Sequence, residues 1–171
     1  QPGTLVKEET AGMEKVVIRG VSVDRRQAKV TISGVPDKPG IASRVFTEIA
    51  AINVNVDMIV QNVSAAGSTD ISFTMLTDEL PKIEKHLGPI VQEIGAKGFA
   101  AQAGIAKLSV VGIGMRSHSG VAAKMFELLG KAGINIQMIT TSEIKISVIV
   151  DESSVDAGAN LVHAGFGLDR L

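Results

Sequence analysis

Ala28-Lys29-Val30-Thr31-Ile32-Ser33-Gly34-Val35 recurs later in the chain as Ala106-Lys107-Leu108-Ser109-Val110-Val111-Gly112-Ile113. Gly40-Ile41-Ala42-Ser43-Arg44-Val45-Phe46 recurs as Gly120-Val121-Ala122-Ala123-Lys124-Met125-Phe126, and Asn55-Val56-Asp57-Met58-Ile59 as Asn135-Ile136-Gln137-Met138-Ile139. The order is kept and the offset stays near roughly 80 residues, so one supersecondary unit is used twice. In the first copy Val30 and Ile32 alternate with Lys29, Thr31 and Ser33, as a half-buried strand does. The loop Gly34–Gly40 holds two prolines and ends that strand. Ile41, Val45, Ile49 and Ile52 have helical spacing, which predicts a helix from Ile41 to about Ala51. Val54 to Val60 alternates as a second strand, Ala65 to Ser68 turns the chain, and Ile71, Phe73 and Met75 mark a third strand. Asp78 is read as the cap of a helix carrying Leu80, Ile83, Leu87, Ile90, Val91 and Ile94, and Pro81 suits its first turn. Phe99 to Ile105 supplies an Ala-rich fourth strand.

Strand, helix, strand, strand, helix, strand (βαββαβ) is the order of a ferredoxin-like α+β sandwich: an antiparallel four-stranded sheet with both helices on one face. The second copy repeats it. Lys107 to Ile113 is a strand, Ser117 or Ser119 caps a helix with Val121, Met125, Leu128 and Leu129, and Ile134 to Thr141 is a strand. Ile144, Ile146, Val148 and Val150 form the next strand, and Val155, Val162 and Phe166 mark the last helix. No fourth strand follows. A spare β-branched run, Val16-Val17-Ile18 with Val21 and Val23, stands ahead of the first copy and can fill the gap. The count therefore predicts an N-terminal strand that completes the second unit; the alternative placement extends the first sheet. The resulting division is a linker or tail at 1–14, a first domain at 26–104, and a second domain made of 15–25 plus 105–171.

Composition narrows the function. Seventeen basic and eighteen acidic residues give a net charge of −1, and there is no Trp or Tyr, which argues against a nucleic-acid partner. The absence of Cys removes disulfides, thiolate metal sites and Cys nucleophiles and accords with a cytoplasmic location. No apolar run is long enough to span a membrane. The chain opens with Gln1 rather than Met and is read as part of a longer polypeptide or a processed product.

The conspicuous chemistry lies where the first strand of each unit passes into its helix. A helix start offers unpaired N–H groups and a partial positive charge, and Gly40 allows close approach to the backbone. Asp37 just upstream offers an anion to an ammonium. Carboxylate on the helix start and ammonium at Asp37 together describe a free amino acid; a simple turn with Asp37 as a helix cap is the competing reading. The second loop, Gly114-Met115-Arg116-Ser117-His118-Ser119-Gly120, keeps the glycine and replaces the acid with a Ser-His-Ser run. Asn55 and Asp57 in one unit match Asn135 and Gln137 in the other, with Gln61-Asn62 and Thr141-Ser142-Glu143 at the strand ends. No nucleophile elbow, phosphate-binding Gly-Lys-Ser/Thr loop or metal-ligand spacing is present, so no catalytic residue, metal or cofactor is assigned.

Together these motifs resemble the regulatory region of aspartate kinases, which is built from two ACT domains. The carriers are Ile18-Arg19-Gly20-Val21, Pro36-Asp37-Lys38-Pro39-Gly40, Val56-Asp57-Met58-Ile59-Val60-Gln61-Asn62, Gly112-Ile113-Gly114-Met115, Ser117-His118-Ser119-Gly120-Val121, Asn135-Ile136-Gln137-Met138-Ile139 and Thr141-Ser142-Glu143-Ile144-Lys145-Ile146-Ser147-Val148. The resemblance runs from about Met13 to the C-terminus. It implies that the ACT units pair between chains in a homodimer and bind feedback amino acids at the interfaces. It also implies a partner, the kinase catalytic domain or subunit that uses ATP and magnesium and has no counterpart in these residues. A threonine-type site would use Asp37, Pro39, Gly40, Ile41, Ala42 and Gln61, with Asn135 and Ile136 from the facing second unit. A lysine-type site would use Met115, Ser117, His118, Gly120 and Val121, with Asp57, Ser142 and Glu143 nearby. Ser119 stands where many relatives carry Pro. The rival readings are a dimerisation module without ligand, an ACT region of another amino-acid-metabolism enzyme, and a small free-standing enzyme, the last opposed by the lack of a nucleophile–base pair.

Overall fold

A computed structural model describes residues 17–62, 67–113 and 120–170. The elements are β1 (Val17–Pro36), α1 (Ile41–Ala51), β2 (Ile59–Gln61), β3 (Ser68–Leu76), α2 (Leu80–Glu93), β4 (Gly98–Ile113), α3 (Gly120–Lys131), β5 (Met138–Thr141), β6 (Lys145–Asp151) and α4 (Val155–Gly165). Among the described residues they form one antiparallel sheet in the order β2-β3-β1-β4-β6-β5. The fold is α+β, and two ferredoxin-like units share the two central strands.

Sequence reading breaks β1 and β4 into separate strands; the structure joins them. Val17–Asp24 of β1 pairs with Ile113–Lys107 of β4, whose other edge holds β6. Lys29–Ser33 of β1 pairs with Gln102–Gly98 and, on its other side, with β3. Each unit thus has its four strands, and the N-terminal strand completes the second unit's sheet. The two four-stranded sheets expected are both present, and they overlap in β1 and β4 to make one six-stranded sheet. The join carries register shifts between Asp24 and Lys29, with Arg26 at φ 55° and Gly104 at φ 72° on facing strands. A bulge of this kind bends a strand without ending its pairing.

Alternation decides the layers. Ala28, Val30 and Ile32 of β1 and Ile71, Phe73 and Met75 of β3 point into a core with Val45 and Ile49 of α1 and Ile83, Leu87, Ile90 and Val91 of α2. Ala106, Leu108 and Val110 of β4 and Ile146, Val148 and Val150 of β6 do the same with Val121, Met125 and Leu129 of α3 and Val155 and Val162 of α4. Ile18, Val21 and Val23 of the N-terminal strand pack on this second core. On the opposite face Met58 and Val60 of the first unit join Ile105, Met138 and Ile149 of the second in a smaller cluster, so the two halves of the sheet meet there.

Two expected strands are shorter. Val54–Val60 reduces to Ile59–Gln61 and Ile134–Thr141 to Met138–Thr141. Three of the preceding N–H groups have other partners: Val54 N donates to Ile49 O at the end of α1, Asn55 N to the Glu79 carboxylate, and Met58 N to Thr74 Oγ1 at 3.1 Å, while Asp57 N still donates to Thr74 O of β3 at 2.9 Å. The same helix ending recurs in the second unit. Asn53 (φ 54°) and Gly133 (φ 70°) take the left-handed conformation, and Val54 and Ile134 donate back to Ile49 and Leu129. Asp78 does not cap α2: it sits in a 3-10 turn, Thr77–Glu79, and no side chain caps the helix. Ser117, Ser119, the 1–14 tail, and Ala65 and Ala66 of the turn expected at Ala65–Ser68 lie outside the described residues. No described helix is long and apolar enough to cross a membrane.

Candidate functional site

The loop from β1 to α1 carries Asp37, Pro39, Gly40, Ile41 and Ala42. Asp37 N donates to Gly67 O at 3.1 Å, which ties this loop to the connection ahead of β3. Gly40 is the residue at the helix start, with φ 91°, in the left-handed region that a side chain at this position would strain. No side chain caps α1, so the reading of Asp37 as its cap is corrected. Asp37 is exposed, and its carboxylate has no hydrogen-bond or ion-pair partner among the described residues. The first turn of α1 carries no acidic residue either. Ile41 N donates to Lys38 O at 3.4 Å, and the N–H groups of Ala42 and Ser43 and the positive end of the helix are left to solvent or to a ligand. Gln61 ends β2 in the same unit.

Asn135 and Ile136 lie elsewhere. They precede β5, the far edge of the sheet from β2, and Ile136 packs on the second core. One chain therefore does not bring them to the Asp37 loop.

Of the second set, Met115, Ser117 and His118 lie outside the described residues. Gly120 opens α3, and Val121 is buried in the second core. Ser142 and Glu143 are exposed in the turn between β5 and β6, where Ser142 N donates to Lys145 O at 2.7 Å. Asp57 is at the junction of the two units, where Lys107 Nζ donates to its Oδ2 at 2.5 Å. Lys107 pairs with Ile149 in the ladder and Ser142 lies beside Lys145. Asp57 and the Ser142-Glu143 turn are therefore separated by about four residues of β6, roughly 13 Å at about 3.3 Å per residue.

Sequence reading missed the junction itself. Lys107 is 8% exposed and its ammonium also meets Asp24 at 3.0 Å. Burial would lower its pKa, but the hydrogen bonds and charges of Asp57 and Asp24 outweigh this and raise it above the ordinary lysine value. Lys29 Nζ donates to Gln137 Oε1 at 2.8 Å, and Gln137 Nε2 donates to Asp151 Oδ1 at 2.8 Å. The only available signal was the Ala-Lys pair that opens both copies of the repeat. A cavity of about 350 Å³ also opens near the Asp37 loop, lined by Ser33, Asn62, Thr69, Asp70 and Lys97 among others. It includes none of the residues assigned to the threonine-type site.

Comparison with known proteins follows the same two-unit division. Two ACT domain models match, one at residues 30–92 and one at 108–166. The aspartate kinase of Pseudomonas fluorescens (strain SBW25) is 47% identical over 169 residues, which cover 98% of this chain and 41% of that protein. A crystal structure of aspartokinase alpha and beta subunits superposes with a TM-score of 0.82 at 42% identity, covering 88% of this chain and 99% of the matched one. The ligand-free regulatory subunit of aspartate kinase from Thermus thermophilus gives 0.81 at 38% identity, covering 87% and 98%.

Proposed function

The chain belongs to the aspartate kinase family as its regulatory region of two ACT domains, and from that premise we propose that it binds feedback amino acids where ACT units of two copies meet and thereby inhibits the kinase. The chain spans about two fifths of the length of the curated relatives it matches, 41%, and matches their regulatory part rather than their catalytic domain. Residues 26–104 form the first ACT domain and 15–25 with 105–171 the second, with 1–14 as linker.

The carrying observation is the Asp37–Gly40 corner: an exposed carboxylate with no partner among the described residues, beside a helix start that no side chain caps. Those two features suit the two charged ends of one amino acid. Threonine occupies this site, with its ammonium at Asp37, its carboxylate on the first turn of α1, and its side chain toward Gln61. Asn135 and Ile136 come from a second copy, since one chain keeps them at the far edge of the sheet. Lysine occupies the second site, formed by Met115, Ser117, His118, Gly120 and Val121 with Ser142 and Glu143, and with Asp57 supplied by a second copy, since within one chain Lys107 holds Asp57 at the junction of the two units. The partners are a second copy of the chain and the kinase catalytic domain or subunit, which holds ATP and magnesium, and the location is cytoplasmic. An effector bound between units shifts the assembly toward the arrangement it binds more tightly, and the kinase is less active in that arrangement.

Calorimetric titration tests this. Threonine and lysine should each give saturable heat, with alanine giving none. Silence with both at millimolar concentration identifies a pairing module without ligand.

A further inference from the structure

Lys29 and Lys107 occupy the same place in the two repeats, and so do Asp57 and Gln137. The structure crosses them. Lys29 of the first unit reaches Gln137 of the second, and Lys107 of the second reaches Asp57 of the first. The two contacts are equivalent under the internal two-fold that relates the repeats. They flank the bend in β1 and β4, where Arg26 and Gly104 have positive φ and the register shifts. Beneath them Met58 and Val60 pack against Ile105, Met138 and Ile149, again across the two units.

Each contact has a built-in fallback. Lys107 also pairs with Asp24, its ladder partner within the second unit. Gln137 also donates to Asp151, in the second unit as well. Opening the bend would break Lys107–Asp57 and Lys29–Gln137, yet Lys107 would keep one carboxylate and Gln137 one acceptor. A buried ammonium stripped of every anion would be costly; one that keeps Asp24 is not. The polar contacts therefore contribute little to the gap between closed and open, and the apolar cluster of Met58, Val60, Ile105, Met138 and Ile149 is what opening would have to separate.

We propose that Lys29–Gln137 and Lys107–Asp57 form a paired latch across a strand hinge, which sets the angle between the two ACT units and couples the occupancy of one effector site to the geometry of the other. The coupling half rests on the effector reading above. Gln137 directly follows Asn135-Ile136, and Asp57 lies four residues before Gln61, so each latch residue shares a short segment with residues assigned to the threonine site. A ligand that pulls on either segment pulls on the latch.

The chain contains no Cys, so two labels can be placed uniquely. Glu84→Cys on α2 and Asn160→Cys on α4, both exposed, carry spin labels on the two units, with labelled chain diluted into unlabelled protein. The distance distribution should be narrow in the parent. It should broaden or shift in Lys29→Met/Lys107→Met and equally in Asp57→Asn/Gln137→Leu, which removes the same contacts from the other side. An unchanged distribution in the folded variants overturns the latch, whatever the ligand result. With threonine as probe, Lys29→Met, which lies outside the proposed site, should change affinity by about fivefold. Altered distances with unaltered threonine affinity overturn the coupling. No threonine binding by the parent overturns the effector reading, while the distances still decide the latch.

Discussion

Gln27 and Ile105 are ladder partners at the point where the internal two-fold crosses the sheet, and each is the other's counterpart in the repeat. One is polar and one apolar. Gln27 is 5% exposed, and its Oε1 is buried without a hydrogen-bond partner among the described residues. A buried acceptor left unmade costs about 1–3 kcal/mol. Gln27→Met, similar in shape, should therefore raise stability by about 1 kcal/mol, or about 2–4 °C in Tm for a chain of this size. A variant that melts below the parent shows instead that the amide of Gln27 holds the bend.

The face away from the helices pairs hydroxyls at repeated positions: Thr31 Oγ1 with Ser72 Oγ at 2.9 Å, half-buried, and Ser109 Oγ with Ser147 Oγ at 2.8 Å, buried. Ser109 is 0% and Ser147 2% exposed. Ser109→Ala strands the Ser147 hydroxyl and should cost about 1–3 kcal/mol in urea unfolding. Ser109→Ala/Ser147→Ala removes both groups and should cost clearly less than the two single changes added together. Simple additivity would mean that the pair does not interact.

Lys107 gives the pH dependence its sign. Its pKa is raised in the folded chain above the ordinary value of 10.5, because Asp57 and Asp24 outweigh the effect of burial. A raised lysine contributes stability that is fully present below the unfolded value and is lost as pH rises through the folded one. The contribution should therefore be constant across neutral pH and fall away above about pH 10.5. In Lys107→Met the alkaline limb of the stability curve should flatten relative to the parent. Parallel curves at high pH would show that the ammonium is not held by its two carboxylates.

Asp37 caps nothing in this structure, so Asp37→Ala should leave stability within about 0.5 kcal/mol of the parent. Threonine affinity should fall by about 10- to 100-fold, the loss of one charged hydrogen bond of about 1.5–3 kcal/mol. Loss of stability with intact affinity would assign Asp37 a folding role after all.

The repeat made most of the fold legible, because the alternation at Val30–Ile32 and Leu108–Val110 and the helical spacing at Ile41–Ile52 are set by burial, which sequence reports directly. The completing strand was legible by counting. The continuity of β1 and β4 was not. Arg25-Arg26 looks like a break, yet Arg25 Nη1 donates to Asp156 on α4 at 3.1 Å while Arg26 N lies 3.4 Å from Glu152 Oε1, so long-range partners hold a bulge where local signals suggest a turn. The shortening of β2 was hidden likewise, since Met58 N is claimed by the Thr74 side chain from another strand. That the Asp37–Gly40 loop leads into a helix could be read from residue types alone. The Lys107–Asp57 pair could not, since it joins residues fifty positions apart through a bend that no local pattern announces.

The most direct measurement is a crystal structure of the protein grown in saturating threonine. It should show threonine between two copies, its ammonium against Asp37, its carboxylate on the first turn of α1 after Gly40, and Asn135 and Ile136 of a second copy closing the site. A fully ordered Asp37–Ala42 corner with no ligand in those crystals would contradict the account.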